Sequence, residues 1–461
     1  MSANRHIGLV SPLPPEATGI ADYSASLLPA LAQRWPTRAF TRQPNAPQRQ
    51  LESAVEVLGY GELPPARGSE LLIYQLGNHH GFHGDIYRHA LATPGIVVLH
   101  ELALADLVRD SAHHDGGHKA FAEELRYALG ATGNALARRI DIDGEGLSAH
   151  TWPLFERVVD RSFCTIVHGE TAQDRGLASR PTAQVIVAPH HTVEEVADVE
   201  AAGGKFRRRH GLGAETLIVA AFGVVAPTKS IGLCLDAFEA LTDDRDALFL
   251  LVGEGSDAWL GANRPAGSGP TSHRALGRVD ASTLVGAMAA TDIAFNLRQP
   301  TGGETSGACL RLLRLGKPVI VNDHGWFSEI PNDCCVKVGV DLHQRAELQA
   351  LLAHLASDAV LRRTIGGNAA RWAATRHSLG ATIDAYAQAI EIAAQVPSPT
   401  SPAAPLGRFS RDDVVSELVQ ELTAAAGDVG ITEQDPSALA ELAQTIVGLD
   451  LHASRRPRHT D

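Results

Sequence analysis

"NLRQPTGGETSGACLRLLRLGKPVIVNDHGWFSEIP", residues 296–331, joins an apolar strand end, a glycine-rich loop, a helix and a second buried strand in one run. The strand ends at Asn296, and Arg298, Gly302, Gly303 and Glu304 follow it. The spacing predicts a helix that opens on Thr305-Ser306-Gly307 and stops at Gly316, with a strand over 318–321 behind it. Free amides at a helix start, with hydroxyls beside them, suit a diphosphate, and a carboxylate such as Glu304 accepts from sugar hydroxyls. Thr305 or Ser306 also reads as a plain N-cap, a role that coexists with ligand binding.

Working outward, short β-branched runs alternate with amphipathic segments almost throughout, the pattern of βα units around parallel sheets. In the first half, strands are expected over 6–10, 70–75, 96–99, 165–168 and 184–188, with helices over 21–33 and 84–92. A second series follows the basic segment "KFRRRHGLG" (205–213), read as a connector, with strands over 217–222, 248–252, 293–296, 318–321 and 335–338. The fold class is therefore α/β, with two Rossmann-like, doubly wound domains over 1–195 and 206–377 and a boundary near 193–206. Residues 394–408, "AQVPSPTSPAAPLGR", form a Pro/Ser/Ala linker, 409–450 a helical extension, and 451–461 a tail read as disordered.

At 461 residues the chain has room for two or three domains. A formal net charge of −13 argues against a nucleic-acid-binding body, although local amides and a few cations still hold phosphates. Residues 1–10 lack a signal-peptide pattern and no run approaches the ~20 apolar residues of a membrane span, so the expected location is cytoplasmic. The five cysteines are odd in number and form no CxxC or Cys/His pattern, which favours reduced core thiols.

In a doubly wound sheet, ligands sit outside the carboxyl ends of the strands. "SPLPPEATGIADYSASLL" (11–28) places Gly19 at a helix start, where oxygens of a ligand can approach, and a plain βα turn is the alternative. "GIVVLHELALADLV" (95–108) puts His100 directly at a strand end, either as a site residue or as a core histidine. "YQLGNHHGFHGDIY" (74–87) supplies Asn78, His79, His80 and His83, but no carboxylate pattern completes a metal site, so no metal is expected. "VAAFGVVAPTKSIGLCLDAF" (219–238) ends a strand at Phe222-Gly223 and sets Lys229 just before a helix, where it suits a diphosphate or stands as a solvated lysine. Its glycine spacing is not that of a Walker A loop. "LLVGEGSD" (250–257) is a further strand with a glycine-rich turn.

Together these segments, with "VHGETAQDRGL", "VAPHHTV", "GRVDASTLVGAMAATDIAFNLR" and "GWFSEIP", resemble the GT-B glycosyltransferases of the retaining family 4 group over about residues 5–392. The resemblance implies two Rossmann-like domains facing a cleft, with a last helix near 378–393 crossing back to the first domain. It also implies a nucleotide-diphosphate sugar held by the second domain, an acceptor held by the first, and metal-independent transfer with retention and no cofactor. By position, His100, Lys229 and Glu304 would be catalytic. Gly19, Gly223, Lys229, Gly253, Glu254, Arg278, Val279, Arg298, Glu304, Thr305, Ser306, Gly307 and Arg311 would bind the nucleotide sugar, and Tyr23, Asn78 and His168 would lie on the acceptor side. Two departures stand out. Members of the family commonly carry Glu-x7-Glu with the second Glu on the ribose; that position is Arg311 here, and the first aligns at Gly303, one place before Glu304. An Arg is frequent after the glycine at 223, where this chain has Val224 and leaves Arg298 or Arg311 to supply the second cation.

The expected activity is hexosyl-type glycosyl transfer to a carbohydrate, lipid-linked or small-molecule acceptor, at the inner membrane face if the acceptor lies there. A nucleotide-sugar 2-epimerase shares the architecture but needs carboxylates around the sugar, and no such cluster is visible in the sequence. The missing Glu and Arg also fit a non-catalytic GT-B-like partner of an active transferase. The acidic amphipathic segment "DDVVSELVQELTAAA" (412–426) offers a face for a protein partner or self-association, with packing onto the body as the plain alternative.

Overall fold

The computed structural model describes residues 6–46, 55–64, 70–143, 150–192, 196–241, 246–263, 272–397 and 399. Apart from Val340–Leu342, they belong to one compact unit. In chain order its first half is β1 (His6–Val10), α1 (Gly19–Arg34), β2 (Thr37–Thr41), β3 (Glu56–Gly59), β4 (Glu70–Leu76), α2 (His80–Ala92) and β5 (Ile96–Leu99). There follow α3 (Ala105–Leu129), α4 (Ala131–Asp143), α5 (Glu156–Asp160), β6 (Cys164–Val167), α6 (Glu170–Ser179) and β7 (Val185–Val187).

The second half begins with α7 (Val199–Arg209), β8 (Leu217–Phe222), α8 (Ile231–Glu239), β9 (Ala247–Val252), α9 (Ser256–Asn263) and β10 (Ser272–Ala275). It continues through α10 (Ala281–Ala290), β11 (Ile293–Asn296), α11 (Gly307–Arg314), β12 (Val319–Asn322) and β13 (Val336–Val338) to α12 (Gln344–Ser357), α13 (Ala359–Arg376) and α14 (Leu379–Gln395).

Seven parallel strands in the order β3-β2-β1-β4-β5-β6-β7 make the first sheet, and six in the order β10-β9-β8-β11-β12-β13 the second. Central strands such as "LIVAAF" and "ALFLLV" are buried at every position because helices cover both faces, which is why they read as unbroken apolar runs. The order in each sheet reverses beside its first strand, so β1 with β4 and β8 with β11 open crevices at their carboxyl ends. After α13, helix α14 lays Ile383, Tyr386, Ala389, Ile390 and Ala393 into the apolar layer that also holds Ile7, Leu27 and Ile166 of the first sheet and α1.

Strands β2, β3 and β10 were not visible as periodic runs. "TRAFT" and "SHRA" carry arginines and "EVLG" opens on an acid, because β3 and β10 are sheet edges and Arg38 of β2 pairs with Glu70 at 2.9 Å. The segment 205–213 is a correction. Its first five residues are the last turns of α7, and Arg207 donates to Ala290 O and Thr216 O while pairing with Asp292 at 2.7 Å. Helix α14 runs two residues into the expected linker, and the extension and tail lie outside the described residues.

Candidate functional site

Helix α11 forms where the sequence placed it. Ser306 Oγ accepts from Cys309 N at 3.2 Å as N-cap. At the other end Gly316 takes φ 71°, and Lys317 N and Gly316 N bond to Leu312 O and Leu313 O. Because α11 follows β11 in the chain, its start lies at the carboxyl edge of the second sheet. A Cβ on Gly307 would meet nothing within 4 Å, so the first amides face open space, and Thr305 Oγ1 is buried there without a partner. Gly19, first residue of α1 behind its N-cap Thr18, is open in the same way.

The loop between β11 and α11 organises itself around Glu304. One carboxylate oxygen accepts from Gly302 N at 2.7 Å and Thr301 Oγ1 at 3.0 Å. The other pairs with Arg298 Nε at 2.8 Å, a charge contact whose angle leaves Nε without a true hydrogen bond. Both oxygens are thus engaged inside the loop. Arg298 is anchored in turn by its backbone, whose N–H donates to Asn322 Oδ1 at 2.7 Å. Across the pair stands Lys229, at the end of a single 3-10 turn, Pro227–Lys229, with Nζ donating to Phe222 O at 3.1 Å. Burial pushes its ammonium down to about 7, Arg298 adds to the shift, and Glu304 opposes it.

Glycines let this edge close. Gly223 sits at φ 97°, and a Cβ there would lie 2.5 Å from Lys229 Nζ. Gly253, at φ 149°, would bring a Cβ to 2.2 Å from Gly223 O. Gly253 N donates to Gly277 O at 2.8 Å, which sets Glu254 beside Arg278 at 4.0 Å, both exposed, with Val279 packed into the core of the second sheet. Arg311 and Arg278 both lie within charge reach of Asp22, in the first turn of α1, whose carboxyl is raised by burial and lowered by those two cations. A cation stands where the resemblance led one to expect a ribose-binding carboxylate, and an acid of the first half faces it.

His100 is at the end of β5, but its surroundings are those of a buried cluster. Nε2 lies 2.8 Å from Gln75 Oε1 and Nδ1 3.2 Å from His168 Nε2, while His168 Nδ1 donates to Ala188 O at 2.8 Å. Tyr23 packs edge-on against His100 at 4.9 Å between ring centres, contacts His168, His190 and His191 too, and bonds through its hydroxyl to Tyr386 of α14 at 3.1 Å. Burial pushes His100 and His190 well below the usual imidazole range, His168 to about 4 and His191 to about 3. Tyr23 and His168 therefore have their polar atoms engaged within the protein. Asn78 spends both amide atoms on Asp106 and Leu107 N, at 2.9 and 3.0 Å.

Sequence reasoning passed over Glu101, although it follows His100 at a strand end. Its Oε1 accepts from Asn78 N at 3.0 Å, and burial with Glu304 and Asp106 nearby raises the carboxyl to about 7, against the Asn78 N–H and Arg298. Gly302 separates it from the loop: a Cβ there would lie 3.3 Å from Glu304 Oε2 and 3.5 Å from Glu101 Oε2. Gly302 O accepts from Leu102 N and Ala103 N at 2.8 and 3.1 Å, so the loop of the second sheet docks on the turn after β5. The signal for Glu101 was present, an acid just past a strand, but its neighbours come from distant chain segments.

The described residues contain no group of His, Cys, Asp and Glu arranged to hold a metal ion, and no helix among them is long and apolar enough to cross a membrane. No family model matches the chain, and no curated protein sequence matches it. Solved structures do. Sucrose-phosphate synthase from Thermosynechococcus elongatus aligns at a TM-score of 0.54 and 14% identity, over 92% of this chain and 100% of that one. HepE from Anabaena in complex with UDP-glucose aligns at 0.56 and 15%, over 85% and 100%. The catalytic domain of starch synthase IV from Arabidopsis thaliana, bound to ADP and acarbose, aligns at 0.52 and 13%, over 86% and 100%. With its two parallel sheets, opposed switch points and returning last helix, the chain has the GT-B fold that these structures share.

Proposed function

We propose that this chain is a glycosyltransferase that moves a sugar from a nucleotide-diphosphate sugar to an acceptor hydroxyl, with retention and without a metal or cofactor. The observation that carries it is the convergence of Lys229, the Arg298–Glu304 pair and the open start of α11 at the switch point of the second sheet. Charge grows on the departing diphosphate during transfer, and an ammonium and helix amides in a cleft poor in water are suited to stabilise it. Arg298 is the second cation, in the place of the arginine that Val224 lacks. The complexes of HepE with UDP-glucose and of starch synthase IV with ADP support a nucleotide donor. Glu304 acts first by holding the loop, and reaches sugar hydroxyls only by exchanging its bonds to Thr301 and Gly302.

A 2-epimerase is the second reading, favoured by Glu101 and Glu304 flanking Gly302, a pair of carboxylates that the sequence did not place together. Calorimetric titration with UDP, GDP and dTDP, followed by a screen of donor sugars, tests both. A transferase consumes one donor, adds it to an acceptor and loses activity in Lys229→Ala. Deuterium uptake at C2 of the donor sugar in heavy water marks an epimerase. A well-folded chain that binds none of the three diphosphates overturns the transferase reading and leaves a non-catalytic GT-B-like partner protein.

A further inference from the structure

Beside Glu101 the first half of the chain opens a cavity of about 450 Å³, lined by Asn78, His79, His80, Gly81, Glu101, Asp106 and Asp110. Its volume is that of a small-molecule site. It also adjoins the donor loop, since Glu101 reaches it from beside Gly302. Three carboxylates line it; Arg109 pairs with Asp106 at 2.8 Å and Asp110 at 2.9 Å, and Arg298 lies within charge reach of Glu101. Arg42, the next guanidinium along the rim, is engaged with Asp85 and Gly81 O. The bonds leave two carboxylate oxygens over. Glu101 Oε1 is held by Asn78 N, Asp106 by Asn78 Nδ2 and Arg109, and Asp110 Oδ1 by Arg109. Glu101 Oε2, on the side of Gly302, and Asp110 Oδ2 of the half-exposed Asp110 have no hydrogen bond among the described residues.

Arg109 is shared between two of the three carboxylates and Arg298 between Glu101 and Glu304, so acid outnumbers base around the concavity, and a ligand that brings positive charge relieves the excess. The carboxylates do not converge as the ligands of one metal ion would. We propose that this cavity takes a hydroxyl-rich acceptor carrying a protonated amine, an amino sugar or aminocyclitol, whose ammonium lies between Glu101 and Asp110 and whose hydroxyl faces the donor loop. The assignment rests on the transferase reading above. It excludes acceptors that carry a phosphate or carboxylate group, which would meet three acids at contact distance. Burial and the nearness of Glu304 and Asp106 hold the Glu101 carboxyl up near 7 in the empty cavity, so an incoming ammonium also draws a proton off it.

The test uses the full chain saturated with UDP and matched sets of probes, glucosamine against glucose and glucose 6-phosphate, and streptamine against scyllo-inositol. UDP is titrated first and by itself, and failure there counts against the transferase reading. With UDP bound, an amine of at least one set binds ten-fold or more tighter than its neutral counterpart, and glucose 6-phosphate gives no heat. Glu101→Gln with Asp110→Asn erases the preference. The proposal is overturned if neither amine binds, if the neutral or phosphorylated member binds as tightly, or if the preference survives both substitutions. Should the double variant not fold, the wild-type chain decides. Raising salt from roughly 50 to 500 mM weakens the amine several-fold more than the neutral probe, and equal weakening overturns it.

Discussion

Lys229 is held near 7 by burial and by Arg298, so at pH 8 most molecules carry it neutral in the empty site. A diphosphate arriving beside it reverses that balance and the amine takes up a proton. Calorimetry of UDP binding at pH 8, repeated in buffers of differing ionisation enthalpy, shows an uptake approaching one proton that disappears in Lys229→Met. The same substitution weakens UDP by about 10–100-fold, the range of a charge-assisted hydrogen bond to phosphate. An unchanged proton count would mean that Lys229 does not meet the diphosphate. Glu304 was legible as a candidate for the site, but its present bonds to Gly302, Thr301 and Arg298 were not, because they depend on how the ten-residue loop between β11 and α11 folds back on itself.

Among elements, the unit from β11 to β12 was read almost residue for residue. Local rules suffice there: a serine cap, an apolar stripe, and a glycine with positive φ. Ser306→Ala is expected to cost about 1 kcal/mol in denaturant unfolding, the usual value of an N-cap, with UDP affinity falling less than in the lysine variant. Gly223→Ala is a sharper probe of the strand end. The left-handed φ and the ammonium 2.5 Å from the new methyl together cost about 1–3 kcal/mol and displace Lys229, so UDP affinity falls tenfold or more. Edge strands β3 and β10 escaped the reading for the opposite reason. Their pairing is made by neighbours in the sheet and leaves a weak mark on their own residues.

Across the whole molecule the two halves are tied by a carboxylate. Glu329 accepts from Glu170 N at 3.0 Å and from Thr171 N and Oγ1 at 2.8 Å each, capping α6 from the other side of the cleft. Glu329→Ala is expected to raise hydrogen exchange at the amides of Glu170 and Thr171 and to expand the particle in small-angle scattering. Unaltered exchange would show that the cap does not hold the halves together.

The buried histidines set the pH response. His168 and His377 are held at about 4 and His191 at about 3, so between 6.5 and those values the unfolded chain binds protons that the fold does not. Stability therefore falls with acidification through this window, by on the order of 1–2 kcal/mol per histidine at pH 5. Glu101, raised to about 7, is protonated in the fold before it is in the unfolded chain and offsets part of the loss; Lys229 contributes nothing below 7. The melting temperature should drop between pH 7 and pH 5, and a flat profile would contradict the buried neutral imidazoles.

By itself the sequence determined the two series of βα units, most of the strand ends, and the capped start and glycine stop of α11. Those features are local, written in periodicity, caps and glycines within a few residues of one another. Only the tertiary structure decided that Glu101 stands beside Glu304, that Arg311 faces Asp22, and that Tyr23 and His168 are sealed with His100 beneath α14. Each of those meetings joins residues some 70 to 360 positions apart, and the packing that brings them together leaves no pattern along the chain.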